Sequence, residues 1–196
     1  TMAFMLRGFD PILAVTLAPA DAFELWQIPL FILLGVLCGL MAWYFTSMNS
    51  RVGGFFKSID KQYKKWLWGG AILGILIFVF PPLYGEGYEG FTSLMHGNAQ
   101  ELFNNSLFYR FRDIDWVIIL FVIATMFFKV IAMSTTNAAG GVGGTFAPSL
   151  FVGAFTGASL ALVCNTLFGW EVSIVSFTLV GMAGVMSGVM NAPLTS

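Results

Sequence analysis

Gly140-Gly141-Val142-Gly143-Gly144-Thr145-Phe146-Ala147-Pro148 joins two long apolar runs, each hydrophobic enough to cross a bilayer. Inside a membrane an irregular, glycine-rich backbone is costly, because no water satisfies its free N–H and C=O groups. Such a stretch persists only where protein buries it or where it lines an aqueous cavity. It leads directly into the run Phe146 to Phe168. A helix there would aim its unpaired N–H groups and positive dipole end at the break. That arrangement attracts an anion.

Composition agrees with a membrane setting. The chain is 58% hydrophobic and 10% charged, where a soluble domain carries about 25% charged residues. A net charge of -1 gives no overall basic surface for nucleic acid. Cys38 and Cys164 lie inside apolar runs and read as small buried hydrophobes, and His96 is the single histidine. A metal site or a histidine-based dyad is therefore not expected. Neither is an enzyme, since no nucleophile–base pair or ligand cluster falls within the spans. No cofactor is implied. Thr1 to Leu6 lack the pattern of a signal peptide.

A full crossing needs about 20 apolar residues. Five segments qualify as spanning or deeply inserted: Ile28 to Phe45, Trp66 to Leu83, Trp116 to Met133, Phe146 to Phe168 and Ile174 to Met190. Trp26, Trp43, Tyr44, Trp66, Trp68, Tyr84, Trp116 and Trp170 mark segment ends as an interfacial belt. The predicted fold class is an all-α membrane bundle with broken or re-entrant helices. Pro11 to Val15 reads as the tail of another inserted helix, too short to span.

Charge orients the chain. Arg51, Lys57, Lys61, Lys64 and Lys65 face one acid, Asp60, so this loop is predicted to be cytoplasmic. Glu86, Glu89, Glu101, Asp113 and Asp115 outnumber Arg110 and Arg112 in the next connection, which belongs outside. Glycines spaced by four (Gly35/Gly39, Gly70/Gly74, Gly153/Gly157, Gly184/Gly188) predict close helix packing. Pro81-Pro82 is predicted to end or kink the second span.

The glycine loop is no phosphate-binding P-loop, because no Gly-Lys-Ser/Thr follows it. Two readings stay open: a structural hinge, or a broken-helix ion site fed by backbone N–H groups of Thr145, Phe146 and Ala147. Lys129, inside the third span near its cytoplasmic end, is expected to snorkel or cap local carbonyls. Glu86 and Glu89 read as solvated loop acids. Met190 to Thr195 reads as a helix end followed by a proline-started helix.

Gly143-Gly144-Thr145-Phe146-Ala147-Pro148-Ser149-Leu150, Gly153, Gly157, Gly181-Met182-Ala183-Gly184 and Ala192-Pro193-Leu194-Thr195 resemble the second half of the CLC family of chloride channels and proton-coupled chloride transporters. The resemblance extends less sharply upstream over the first three spans. It implies a partial inverted-repeat fold, with residues 1–196 forming a single transmembrane domain that is an interior slice of such a protein. It implies chloride as substrate, by channel or by H+/Cl- exchange. Thr145 and Phe146 would give N–H groups to the ion, Ala147 would be a weaker donor, and Gly143 and Gly144 would let the backbone approach. Neutral donors hold an anion without trapping it.

The family's serine-containing loop, gating glutamate, proton glutamate and pore tyrosine have no counterpart here, so the slice alone is not expected to conduct. A homodimer, protons and the bilayer are the implied partners, in the plasma (inner) membrane of a bacterium. Two other functions remain in play at this level: a carrier for another anion using the same device, and a non-transporting scaffold subunit in which the glycines only pack helices.

Overall fold

The computed structural model describes residues 25–85, 115–170 and 172–191. Five α-helices occupy them: α1 (Ile28–Lys57), α2 (Gln62–Val79), α3 (Asp115–Ala138), α4 (Phe146–Phe168) and α5 (Ile174–Met190). Short 3-10 turns sit at Leu25–Gln27 and Pro81–Leu83. The segment before Leu25, the acids Glu86, Glu89 and Glu101, His96, and Ala192 to Thr195 lie outside the described residues. Among the described residues, three helices are long and apolar enough to cross a membrane: α1, α3 from Trp116, and α4. With 17 residues, α5 reaches only about 26 Å at 1.5 Å per residue, short of the full hydrocarbon core.

The bounds expected for α4 and α5 match those observed. Local chemistry fixes their ends. Gly169 closes α4 at φ 63, a left-handed conformation that glycine reaches without a Cβ clash. Ser173 opens α5 by accepting the Ser176 N–H through its side chain. Between them the Asn165 side chain both donates to Val172 O (3.0 Å) and accepts from Val172 N–H (2.9 Å), tying the two helix ends together. Asn191, at φ 52, ends α5.

The first span departs from expectation. It does not stop at Phe45 but stays helical for a further turn of polar residues and on to Lys57. Hydropathy marks depth in the bilayer, not where a helix ends. Thr46, Ser47 and Asn49 do not block propagation once a helix is established. Thr46 returns its hydroxyl to Ala42 O (3.0 Å), and Phe56 is buried at 2% exposure, anchoring the extension. The basic loop predicted over 51–65 thus shrinks to a short link between Lys57 and Gln62. Trp43 and Tyr44 consequently sit mid-helix; Tyr44 packs edge-on against Phe127 (5.0 Å) and donates to Phe127 O (3.3 Å), so it is a packing residue, not part of the belt. Trp66, Trp68, Tyr84 and Trp116 are exposed, as an interfacial belt requires.

Helix α2 ends at Val79, one residue before Phe80-Pro81-Pro82, because proline supplies no N–H and disfavours helix in the residue before it.

The core sits around α4. Every residue from Phe151 to Ala161 is buried, with α5, α3 and α1 packed around it. Glycine makes the closest approach possible. A Cβ at Gly153 would strike Gly181 O, and one at Gly157 would strike Phe177 O. The α4 and α5 backbones therefore touch, the outcome expected of small residues four apart. On its other side, α5 turns Gly184 and Gly188 toward α1: a Cβ at Gly184 would meet Cys38 Sγ at 3.0 Å, and one at Gly188 would meet Ala42 Cβ at 2.6 Å. Gly35, Gly39, Gly70 and Gly74 meet nothing within 4 Å among the described residues. Two of the four glycine pairs thus pack helices and two face open space. Cys38 and Cys164 are buried free thiols.

Candidate anion site at the break between α3 and α4

The break begins where α3 runs out. Gly140 adopts φ +98, and two reverse hydrogen bonds close the helix end: Gly140 N–H to Asn137 O (3.3 Å) and Gly141 N–H to Thr136 O (2.9 Å). This is a Schellman stop with glycine in the left-handed position. The loop then folds back over the last turn of α3. A Cβ at Gly141 would lie 2.8 Å from Thr136 Cγ2, and one at Gly143 would lie 2.6 Å from Asn137 Oδ1. Gly144 has no such neighbour; the nearest atom to its Cβ position is Phe146 N at 4.0 Å. A Cβ at Gly141 would also lie 2.9 Å from the Thr136 carbonyl oxygen, so glycine is required there by the return path; at Gly143 only the end of the Asn137 side chain would have to move, and Gly144 leaves room at the helix mouth.

Thr145 is the N-cap of α4 and makes no side-chain cap bond. Its carbonyl accepts the Ser149 N–H (3.1 Å). Pro148 has no N–H, and helix geometry gives Phe146 and Ala147 no intrahelical acceptor for theirs. Ser149 turns its hydroxyl onto Phe146 O (2.7 Å) and so leaves the helix mouth to the backbone. The first turn carries no acid. Its partial positive charge is therefore not offset locally. Gly141 to Gly144 are exposed, Phe146 is half-exposed, and Thr145 and Ala147 are intermediate. All five residues singled out from the sequence, Gly143, Gly144, Thr145, Phe146 and Ala147, fall in one continuous turn at the start of α4.

Sequence reasoning missed the neighbours of this loop. Gln62 and Trp66, at the start of α2, stand 2.8 Å (Nε2) and 3.4 Å (Nε1) from where a Cβ at Gly140 would be. No motif announces that contact. The Asn137 contact had a weak signal, an amide one turn before a glycine break.

Lys129 is 3% exposed, which corrects the expectation of snorkelling. It lies in the middle of α3, not at its end, and donates to Leu83 O (3.0 Å) and Gly85 O (2.8 Å). Its ammonium also stands 4.8 Å from the Phe151 ring centroid, within reach of a cation–π attraction. It does cap carbonyls, but those of the distant segment beyond α2. Phe151 stacks in turn on Phe155 (4.1 Å) along α4.

A bundle of apolar helices, three of them long enough to span among the described residues, marks an all-α integral membrane protein. The family model described as voltage gated chloride channel matches residues 1–196, and the chain belongs to that family, the CLC proteins. Chloride channel protein CLC-e of Arabidopsis thaliana is 30% identical over 185 residues, covering 87% of this chain and 24% of its own length. CLC-f of the same plant is 30% identical over 198 residues, covering 93% and 23%. The H(+)/Cl(-) exchange transporter ClcA of Salmonella paratyphi B is 29% identical over 198 residues, covering 97% and 37%. The chain spans between about a quarter and two fifths of the length of these relatives. No solved structure is a significant match.

Proposed function

We propose that the full-length protein moves chloride across a membrane, and that the N–H groups of Thr145, Phe146 and Ala147 hold the ion at the α4 mouth. The observation that carries this reading is the first turn of α4: uncapped by any side chain, free of acids and reached through exposed glycines. A dehydrated halide needs donors; a helix N-terminus supplies several without a full charge. Gly143 lets the backbone pass beside the Asn137 side chain, and Gly144 keeps the mouth unobstructed. Transport then needs only that the ion bind well enough to enter and weakly enough to leave.

Proton exchange is the finer reading, supported by the likeness to an H(+)/Cl(-) exchanger over 97% of this chain. A location in the plasma (inner) membrane of a bacterium is part of the same proposal. A homodimer of the full-length protein completes the proposal. The experiment is reconstitution of the full-length protein into chloride-loaded liposomes. Chloride efflux above that of protein-free vesicles is expected, with acidification of the lumen if protons are exchanged inward for the departing chloride. Sulfate or phosphate flux in place of chloride would favour a carrier for another anion, and absence of any flux would favour a scaffold.

A further inference from the structure

The link between α1 and α2 gathers cations that the anion site does not use. Arg51 and Lys57 lie toward the end of α1, Lys61 in the link, and Lys64 and Lys65 at the start of α2, with one acid, Asp60, among them. Arg51, Lys57, Lys61 and Lys64 are exposed and Lys65 partly so. Helical spacing divides the start of α2 into two faces. Gln62, Trp66 and Gly69 form one face, which packs on Ala139 and Gly140; a Cβ at Gly69 would lie 2.5 Å from Ala139 Cβ. Lys64 and Trp68, four residues apart, lie on the other. Trp68 is 57% exposed and the adjacent Leu67 71%. The outward face therefore orders lysines at the helix start and large apolar groups one turn deeper. That order suits a membrane boundary, with ammonium groups among headgroups and the indole below them. Lys61 lies 5.9 Å from the Tyr63 ring centroid, so its charge sits over an exposed aromatic at the same level.

We propose that this face docks the headgroups of anionic phospholipids, Lys57, Lys61 and Lys64 taking the phosphates while Trp68 and Leu67 meet the acyl boundary. Charge complementarity selects the occupant. Five cations against one acid favour a lipid with net negative charge over a zwitterionic one. The exposed Trp68 and Leu67 favour a lipid over a soluble polyanion, which would leave both in water. The site stands back to back with Gly140, on the opposite side of a single helix from the start of the glycine loop.

Native mass spectrometry of the full-length protein, released from mixed phosphatidylglycerol and phosphatidylcholine bilayers, tests the proposal. Wild-type protein should retain phosphatidylglycerol preferentially. A K57Q/K61Q/K64Q variant that elutes and melts like wild type should lose that preference by roughly tenfold or more, and the corresponding arginine variant should keep it. Lys61→Gln alone, at an exposed link position, gives a milder loss if the triple variant fails to fold. Added inorganic phosphate should not displace the lipid. Equal retention by wild type and glutamine variants would overturn the proposal. So would loss of a protein subunit in place of lipid, which would mean that protein covers this face.

Discussion

Lys129 shows what a buried charge requires. An ammonium inside a span costs several kcal/mol unless it finds partners, and here the carbonyls of Leu83 and Gly85 and the face of Phe151 supply them. The result is a tie between the middle of α3, the segment beyond α2 and the α4 helix. Lys129→Met keeps the stem but removes the donors, leaving both carbonyls without this partner. The loss should be on the order of 2–3 kcal/mol, the cost of losing hydrogen bonds to a charged group. Thermal melting of the full-length protein in detergent checks it; an unchanged melting temperature would contradict the tie. The lysine itself stood out in the sequence as a charge within an apolar run. Its partners did not, because Leu83 and Gly85 are 46 and 44 residues away and only the tertiary fold brings them together.

Among the elements, α4 and α5 were the most legible, and the reason is local. Apolar runs bounded by Gly144-Thr145, Gly169 and Ser173 combine hydropathy with their own start and stop chemistry. Close packing at Gly153 and Gly157 was legible from their spacing, but their partners, Gly181 and Phe177 on α5, emerge only in the structure. The same spacing in Gly70 and Gly74 meets nothing among the described residues, so spacing alone does not say which pairs are used. A methyl added at Gly157 must push the helices apart, with an overpacking cost of roughly 1–3 kcal/mol or more. Gly70→Ala meets no atom of the described residues and gains helix propensity, so it should leave stability unchanged or slightly raised. Comparing folded yield and melting temperature of the two alanine variants decides the point. Equal damage from both would contradict the backbone contact between α4 and α5. The far end of α1 was not legible, because the polar residues after Phe45 signal shallower depth and nothing in them signals a helix end.

For the whole molecule, charge asymmetry predicts the orientation. The basic link between α1 and α2 and the acidic connection after Gly85 lie at opposite ends of α2 in chain order, and positive charge favours the cytoplasmic side. Cysteine introduced at Ser58 in the full-length protein should resist a membrane-impermeant thiol reagent applied to intact cells, whereas cysteine at Asn98 should react. Labelling at Ser58 with protection at Asn98 would invert the topology. The glycine break running into a helix was legible in the sequence. The folding of Gly141 and Gly143 onto Thr136 and Asn137, and the buttress from Gln62 and Trp66, arise only when separate helices are assembled.

The central claim is that chloride is held by backbone N–H groups at the α4 mouth and not by side chains. Replacing the Phe146 amide by an ester in the full-length protein removes one donor while keeping every side chain. Isothermal titration with chloride should show binding weakened by about 1–3 kcal/mol, the usual cost of losing a hydrogen bond to a charged partner. Thr145→Val, close in shape but lacking the hydroxyl, should bind nearly as wild type. An ester that binds chloride normally, together with a Thr145→Val protein that does not bind it, would contradict the account.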